Sequence, residues 1–152
     1  MSELPQKEGS VPGMPSPSQL GSPSKFPVAD LIGFHITESA GGRTVATLQT
    51  GPQHANPMGT LHGGILCDLT DAAMGVAFAS TLEPGQSFTT IELSINFFRP
   101  VWTARLTAEA IVVQRGRTTG YVECTVKDQN GKLVAKAAST CFVLAGDRAA
   151  GR

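Results

Sequence analysis

From Leu61 to about Ser80 the chain carries Leu61, Ile65, Leu66, Leu69, Ala72, Ala73, Met74, Val76, Ala77 and Phe78, with almost no polar face. An amphipathic surface helix shows a charged stripe, whereas a helix that is apolar nearly all round is buried. The segment therefore predicts a long buried helix, and the rest of the chain has to supply what covers it. Its only charges are Asp68 and Asp71, and Glu83-Pro84-Gly85 ends it with helix breakers.

The covering material reads as strands. A short helix is expected over Val28 to Phe34, opening after Pro27. The runs Phe34–Ser39 and Thr44–Gln49 follow, with Gly41-Gly42 between them as a hairpin turn. Gly51 to Gly59 reads as loop, given Pro52, Asn56, Pro57 and Gly59. Beyond the long helix, Thr89–Phe98 alternates Ile91, Leu93, Ile95 and Phe97 with Thr90, Glu92, Ser94 and Asn96, a strand period of two. That alternation sets Thr90 on the polar face, opposite Ile91. Ala104–Val113, Thr119–Lys127 and Leu133–Leu144 complete the set, turning at Gly116 and at Asn130-Gly131.

Short turns join antiparallel neighbours. The expected fold is α+β, an antiparallel sheet of five to six strands wrapped around one long central helix. A single sheet around a helix still leaves apolar surface, so association with a second copy is expected.

The chain has 152 residues, room for one domain with a substantial core. Residues 1–25 are rich in Pro, Ser and Gly and read as a mobile tail; the domain is expected over 26–146, with 147–152 frayed. Twelve Lys plus Arg balance twelve Asp plus Glu, which disfavours a strongly basic nucleic-acid surface. No apolar run is long enough for a membrane span, and no secretory leader pattern is present, so a cytoplasmic protein is expected. Cys67, Cys124 and Cys141 match no zinc spacing and read as buried free thiols, which fits a reducing compartment. His35 reads as a strand residue, His54 as a loop residue and Trp102 as packing. No metal site is expected, and no serine-hydrolase elbow, P-loop or dinucleotide fingerprint occurs.

Chemistry concentrates at the start of the long helix. His62-Gly63-Gly64 puts paired glycines where helix amides lack internal partners and the helix dipole adds positive charge. Such amides can hold a carbonyl oxygen as it becomes negative. Asp71 sits among Leu69, Ala72, Ala73 and Met74, where desolvation raises a carboxyl's proton affinity and suits it to act as a base. Asp68 shares its helix face three residues earlier, and the residues alone do not separate the two. His62 and Asp71 are nine residues apart, about 13 Å of rise and half a turn of net rotation on a helix. They cannot meet at one small substrate within one chain. If both act, the site is shared between two copies.

Asn56-x-x-Gly59-x-x-His62-Gly63-Gly64, with an acid nine residues past the histidine, resembles the PaaI-type thioesterases of the hotdog superfamily, from about Phe26 to Leu144. The resemblance implies a hotdog fold and an acyl-CoA thioesterase that releases free acid and CoA, with coenzyme A as part of the substrate and no other cofactor. It implies Asp71 in place of Asp68 as the catalytic carboxylate, acting as general base or nucleophile. It gives Gly63 as the amide that polarises the thioester, Asn56 as a polar group orienting substrate or water, and His62 as a positioning residue. Some relatives carry a hydroxyl four residues after the acid, where this chain has Gly75; others carry one on the next strand, where Thr90 aligns. Gly64 is placed beside the substrate, and Arg99, Arg117 and Thr118 match positions that touch the CoA nucleotide, with Arg115 and Arg148 as further candidates. Relatives draw the acid from a second subunit and are often dimers of dimers. The rival readings are a hotdog hydratase or dehydratase and a non-catalytic acyl-CoA-binding protein.

Overall fold

A computed structural model describes residues 26–150; the expected tail over 1–25 lies outside them. A short helix, α1 (Pro27–Ile32), leads into β1 (Phe34–Ala40) and β2 (Arg43–Gln49). The long helix is α2 (Gly63–Ala79), followed by β3 (Gln86–Phe97), β4 (Arg105–Arg115), β5 (Thr119–Asp128) and β6 (Leu133–Ala145). Gly146–Arg148 closes the chain's described part as a 3₁₀ turn. All pairings are antiparallel, in the order β1-β2-β4-β5-β6-β3.

The six strands curl around α2, which packs against every one of them. Leu69, Ala73, Met74, Ala77 and Phe78 of α2 are fully buried against Phe34, Leu48, Leu106, Val122 and Val126. Near the helix C-terminus, Phe78 meets Phe88 edge-on, with ring centroids 5.4 Å apart, and the Arg115 guanidinium carbon lies 5.2 Å from the centre of the Phe78 ring. Ser80 ties this end to the first hairpin, its hydroxyl accepting from the Gly42 amide at 2.8 Å.

Three expectations need correction. The helix starts at Gly63, because Leu61 is held in a bridge to Ala55 and donates its amide to the Val101 carbonyl at 2.6 Å. The helix is also not buried all round: His62, Asp68 and Asp71 are exposed, and Gly63, Gly64, Cys67, Ala72 and Gly75 are only half-buried. One curled sheet cannot close over the full circumference of a helix, and it leaves a strip of small and acidic residues bare. Trp102, expected in packing, is 63% exposed on the loop after β3. Among the described residues no helix is long and apolar enough to cross a membrane.

The two sheet edges differ. β1 is short and lined at its end by Thr37, Glu38 and Ser39, features that protect an edge from pairing. β3 is twelve residues long and exposes Ile91 and Phe97, with Phe98 just beyond. It is the edge suited to accept another strand.

Gly120 shows how tightly the helix end is packed. A Cβ there would stand 2.2 Å from Phe78 Cε2 and 3.0 Å from the Gln114 carbonyl oxygen. Gly120→Ala is expected to cost about 2 kcal/mol or more of stability, read from chemical denaturation against the unaltered chain. A change within about 0.5 kcal/mol would show that the Phe78 ring yields.

Candidate active site

The loop before α2 builds the site by orienting the helix start. Asn56 closes this loop with its own side chain. Its Oδ1 accepts from the Met58 and Thr60 amides at 2.9 and 3.2 Å, and its Nδ2 donates to the Thr60 hydroxyl at 2.9 Å. Only one of its amide hydrogens stays uncommitted. His54 anchors the other side. Its Nδ1 accepts from the Gly51 amide at 3.0 Å, its Nε2 contacts the Ile32 carbonyl at 2.8 Å, and its backbone oxygen takes the His62 amide at 2.8 Å. A buried imidazole thus links the end of α1 to the start of α2.

His62 is the N-cap of α2, in extended backbone geometry, and its Nδ1 accepts from the Gly64 amide at 2.9 Å. A Cβ on Gly64 would fall 2.9 Å from that same Nδ1, so glycine there is what lets the ring reach the amide. The two glycines therefore differ in what they offer. Gly64 has spent its N–H on the cap, while the Gly63 N–H has no acceptor among the described residues. Gly63 leaves room for the Phe97 ring, whose Cζ would lie 3.0 Å from a Cβ at that position. An open helix amide under an aromatic wall can donate to a ligand oxygen with the dipole behind it.

Asp71 lies two turns along the bare strip of α2. Thr90 reaches it: the Thr90 hydroxyl donates to Asp71 Oδ1 across 3.4 Å. Simple alternation pointed Thr90 the other way. The difference is a β-bulge at Ile91, where the pairing of β3 with β6 slips between Thr90 and Glu92. An extra residue in one strand reverses the faces on either side of it. Phe88 and Thr90 face the helix before the bulge, Leu93 and Ile95 after it, and Ile91 is pushed outward to 59% exposure. Burial pushes the Asp71 carboxyl above its ordinary range, the Thr90 hydrogen bond pulls it back down, and the Asp68 charge adds a further upward push. One side of Asp71 is open to solvent in the single chain, so this burial is partial.

Cys67, on the same strip, has its thiol pushed up by burial and by Asp68 and Asp71; Cys124, deep in the sheet, is pushed up to about 12. Neither offers a thiolate nucleophile. Among the described residues no group of three His, Cys, Asp or Glu could hold a metal ion.

A cavity of about 430 Å³ opens beside Gly63, lined by Leu61, Leu66, Phe97, Phe98, Pro100 and Val101, with Arg99 on its rim. Arg99 is fixed through Nε, which donates to the Leu133 carbonyl at 2.8 Å, so its terminal nitrogens face outward uncommitted. Arg117 and Thr118 sit in the β4–β5 turn, where the Thr118 carbonyl accepts from the Val143 amide at 2.8 Å. Val143 pairs with Phe88 at the far end of β3 from Arg99. About 30 Å of strand separates these ends. Within one chain the candidate residues thus fall into two separate groups: Gly63 with the cavity and Arg99, and Asp71 with Thr90, towards the end of β3 where Arg117 lies. Arg115 belongs to neither, since it packs on Phe78 and bonds Gln86.

Sequence reasoning missed His54, Phe97 and the bulge. The signal for Phe97 was present, because a glycine at a helix start opposite an aromatic strand end often marks close approach. Nothing in the residue pattern marks the bulge.

Comparison with known proteins finds relatives over most of the chain. A family model described as Thioesterase superfamily matches residues 58–135. The chain is similar to a 1,4-dihydroxy-2-naphthoyl-CoA hydrolase of Listeria monocytogenes, 27% identical over 69% of this chain and 85% of that one. Among solved structures it is similar to the conserved protein PA5202 of Pseudomonas aeruginosa, with TM-score 0.76 and 31% identity over 86% of this chain and all of that one. It is also similar to the PaaI protein of the E. coli phenylacetic acid degradation operon, with TM-score 0.74 and 27% identity over 80% and 87% of the two chains.

The raised Asp71 carboxyl has a consequence for stability. A carboxyl that binds its proton more tightly folded than unfolded makes the ionised folded state less favourable. That penalty is absent below the unfolded value near 4, grows as pH rises through the folded value, and is complete above it. Asp71→Asn is therefore expected to melt at the same or a higher temperature than the unaltered chain at pH 7, with the advantage gone near pH 4. A variant that melts lower at pH 7 would mean that the ionised group stabilises the fold.

Proposed function

The chain belongs to the thioesterase superfamily, and from that premise we propose that it hydrolyses an acyl-CoA thioester at a site completed by two copies of the chain. The observation that carries this reading is the separation of the half-sites along α2 and β3. Gly63 lies against Phe97 and Asp71 against Thr90, about 12 Å apart along the helix. An antiparallel pairing of two β3 edges centred on Ser94, with the bulge at Ile91 absorbing one residue, sets Thr90 opposite Phe97. It brings the Gly63 amide of one copy towards the Asp71 carboxylate of the other. The same two-fold sets Arg99 opposite Phe88, the level of Arg117 and Thr118. One symmetry operation therefore joins amide to acid and cation to cation, and a C2 contact does so twice.

In this reading the pantetheine arm enters through the cavity between Phe97 and Val101, and the CoA phosphates meet Arg99, Arg117 and Thr118 outside it. The thioester oxygen accepts from the Gly63 N–H at the positive end of α2. Asp71 acts as general base: it takes a proton from water as the water oxygen bonds to the carbonyl carbon, and the negative charge moves to the oxygen on Gly63. Collapse breaks the C–S bond, and the Asp71 carboxyl returns its proton to the departing sulfur, leaving a free acid and CoA. A raised proton affinity favours both halves of this exchange. Thr90 steadies the carboxylate, Asn56 and His62 hold the loop and cap that aim the amide, and Gly64 gives the room the cap needs. The free cysteines suit a cytoplasmic setting.

Thiol release from a panel of aliphatic and aromatic acyl-CoAs tests the proposal. Asp71→Asn is expected to reduce turnover by about 10³-fold or more while CoA binding, followed by calorimetry, stays within about threefold. Retention of most activity by this variant, or acyl-CoA binding without thiol release by the unaltered chain, would overturn it. Hydration of a crotonyl thioester in place of thiol release would point to the hydratase reading.

A further inference from the structure

We propose that Asp68 is a positioning residue that acts on Asp71 through space and sets the acid limit of the reaction. The inference rests on the reading of Asp71 as the carboxylate that must be ionised, and adds to it a role for a residue that touches no substrate. Asp68 and Asp71 are three residues apart on α2, hence neighbours on one helix face, and both lie on the strip the sheet leaves bare. The groups around Asp71 are few. β3 presents the Thr90 hydroxyl, β6 presents Cys141 behind it, and the helix itself presents Cys67 and Asp68. None is a cation. The ion pairs among the described residues both belong to Arg43, at the β1–β2 end of the sheet. The Asp68 charge therefore acts on Asp71 without a compensating partner among the described residues.

The physical effect has one sign. A second negative charge about one helical turn away opposes ionisation of Asp71 and makes it a stronger base once ionised. The cost is that activity fades at a higher pH on the acid side. Asp68 is exposed in the single chain and, in this proposal, stays open to solvent beside the contact between copies, so that its effect passes through solvent and is screened by salt. This separates an electrostatic role from a structural one, which salt would leave in place.

The experiment is the pH dependence of kcat/KM for an acyl-CoA that the unaltered protein hydrolyses, at low salt and at 1 M NaCl. Asp68→Asn is expected to move the acid-side midpoint down by about half a unit at low salt, with the plateau rate of the same order. Asp68→Lys moves it further down, Asp68→Glu restores it, and in 1 M NaCl the Asn variant and the unaltered protein converge. An unmoved midpoint, an upward movement, or a shift that survives 1 M salt would overturn the inference. Asp71→Asn run alongside keeps the two claims apart. If it stays active, the reading of Asp71 fails. If it is inactive while the Asp68 variants keep the original midpoint, only the inference about Asp68 fails.

Discussion

Everything in this molecule follows from a helix that one chain can cover only in part. Burying Leu69, Met74 and Phe78 needs strands on several sides, and six of them curl around α2 to provide that. The curl stops short of closure. What remains open is a strip that begins at the helix N-terminus and carries Gly63, Gly64, Cys67, Asp68 and Asp71. The same constraint that makes the core therefore makes the site, because the uncovered strip is where amides and carboxylates can meet a ligand.

The helix N-terminus is the most heavily braced part of the strip. His54 joins α1 to it, Asn56 closes the preceding loop, Val101 holds Leu61, and the His62 ring caps Gly64. These bonds satisfy the amides of Leu61, His62 and Gly64, while that of Gly63 has no acceptor among the described residues. A preorganised donor left open at the positive end of a helix costs nothing further to orient when charge develops on a bound oxygen. Asp71 is held more lightly, by one long hydrogen bond from Thr90 and by partial burial.

Most of the architecture was legible in the sequence because it rests on periodicity. The apolar run of α2, the glycine turns at Gly41-Gly42 and Asn130-Gly131, and the breakers after Thr81 fixed where elements begin and end to within a few residues. Asp71 was legible from the residues only as one of two carboxylates in an apolar run, with Asp68 the other, and the glycine pair as a helix start whose amides lack internal partners. Thr90 was not legible from alternation. A bulge is an insertion in register, visible only once β3 is laid against β6, and it turned a residue read as solvent-facing toward Asp71. The work of His54 was hidden too, since its partners Ile32 and Gly51 are brought to it by the fold and leave no local pattern. Incomplete coverage of the helix was legible, but which residues lie bare was not, because periodicity reports which residues are apolar, whereas coverage depends on how far a sheet of given width can curl.

The central claim is that neither copy of the chain owns a whole site. Mixing two inactive variants tests it most directly: Asp71→Asn, which lacks the acid, and Gly63→Pro, which lacks the amide hydrogen. Proline is tolerated at the first helical position, and the extended His62 before it has ψ 132, a conformation that proline accepts in its predecessor; its Cβ meets the Phe97 ring at 3.0 Å, so the variant is paired with Phe97→Leu, and Phe97→Leu alone must stay active. Unfolded and refolded together in equal amounts, the pair is predicted to recover about a quarter of the unaltered activity, since half the dimers are mixed and each mixed dimer holds one intact site of two. No recovery, with mixed dimers verified by mass, would contradict the account and place both groups in a single chain.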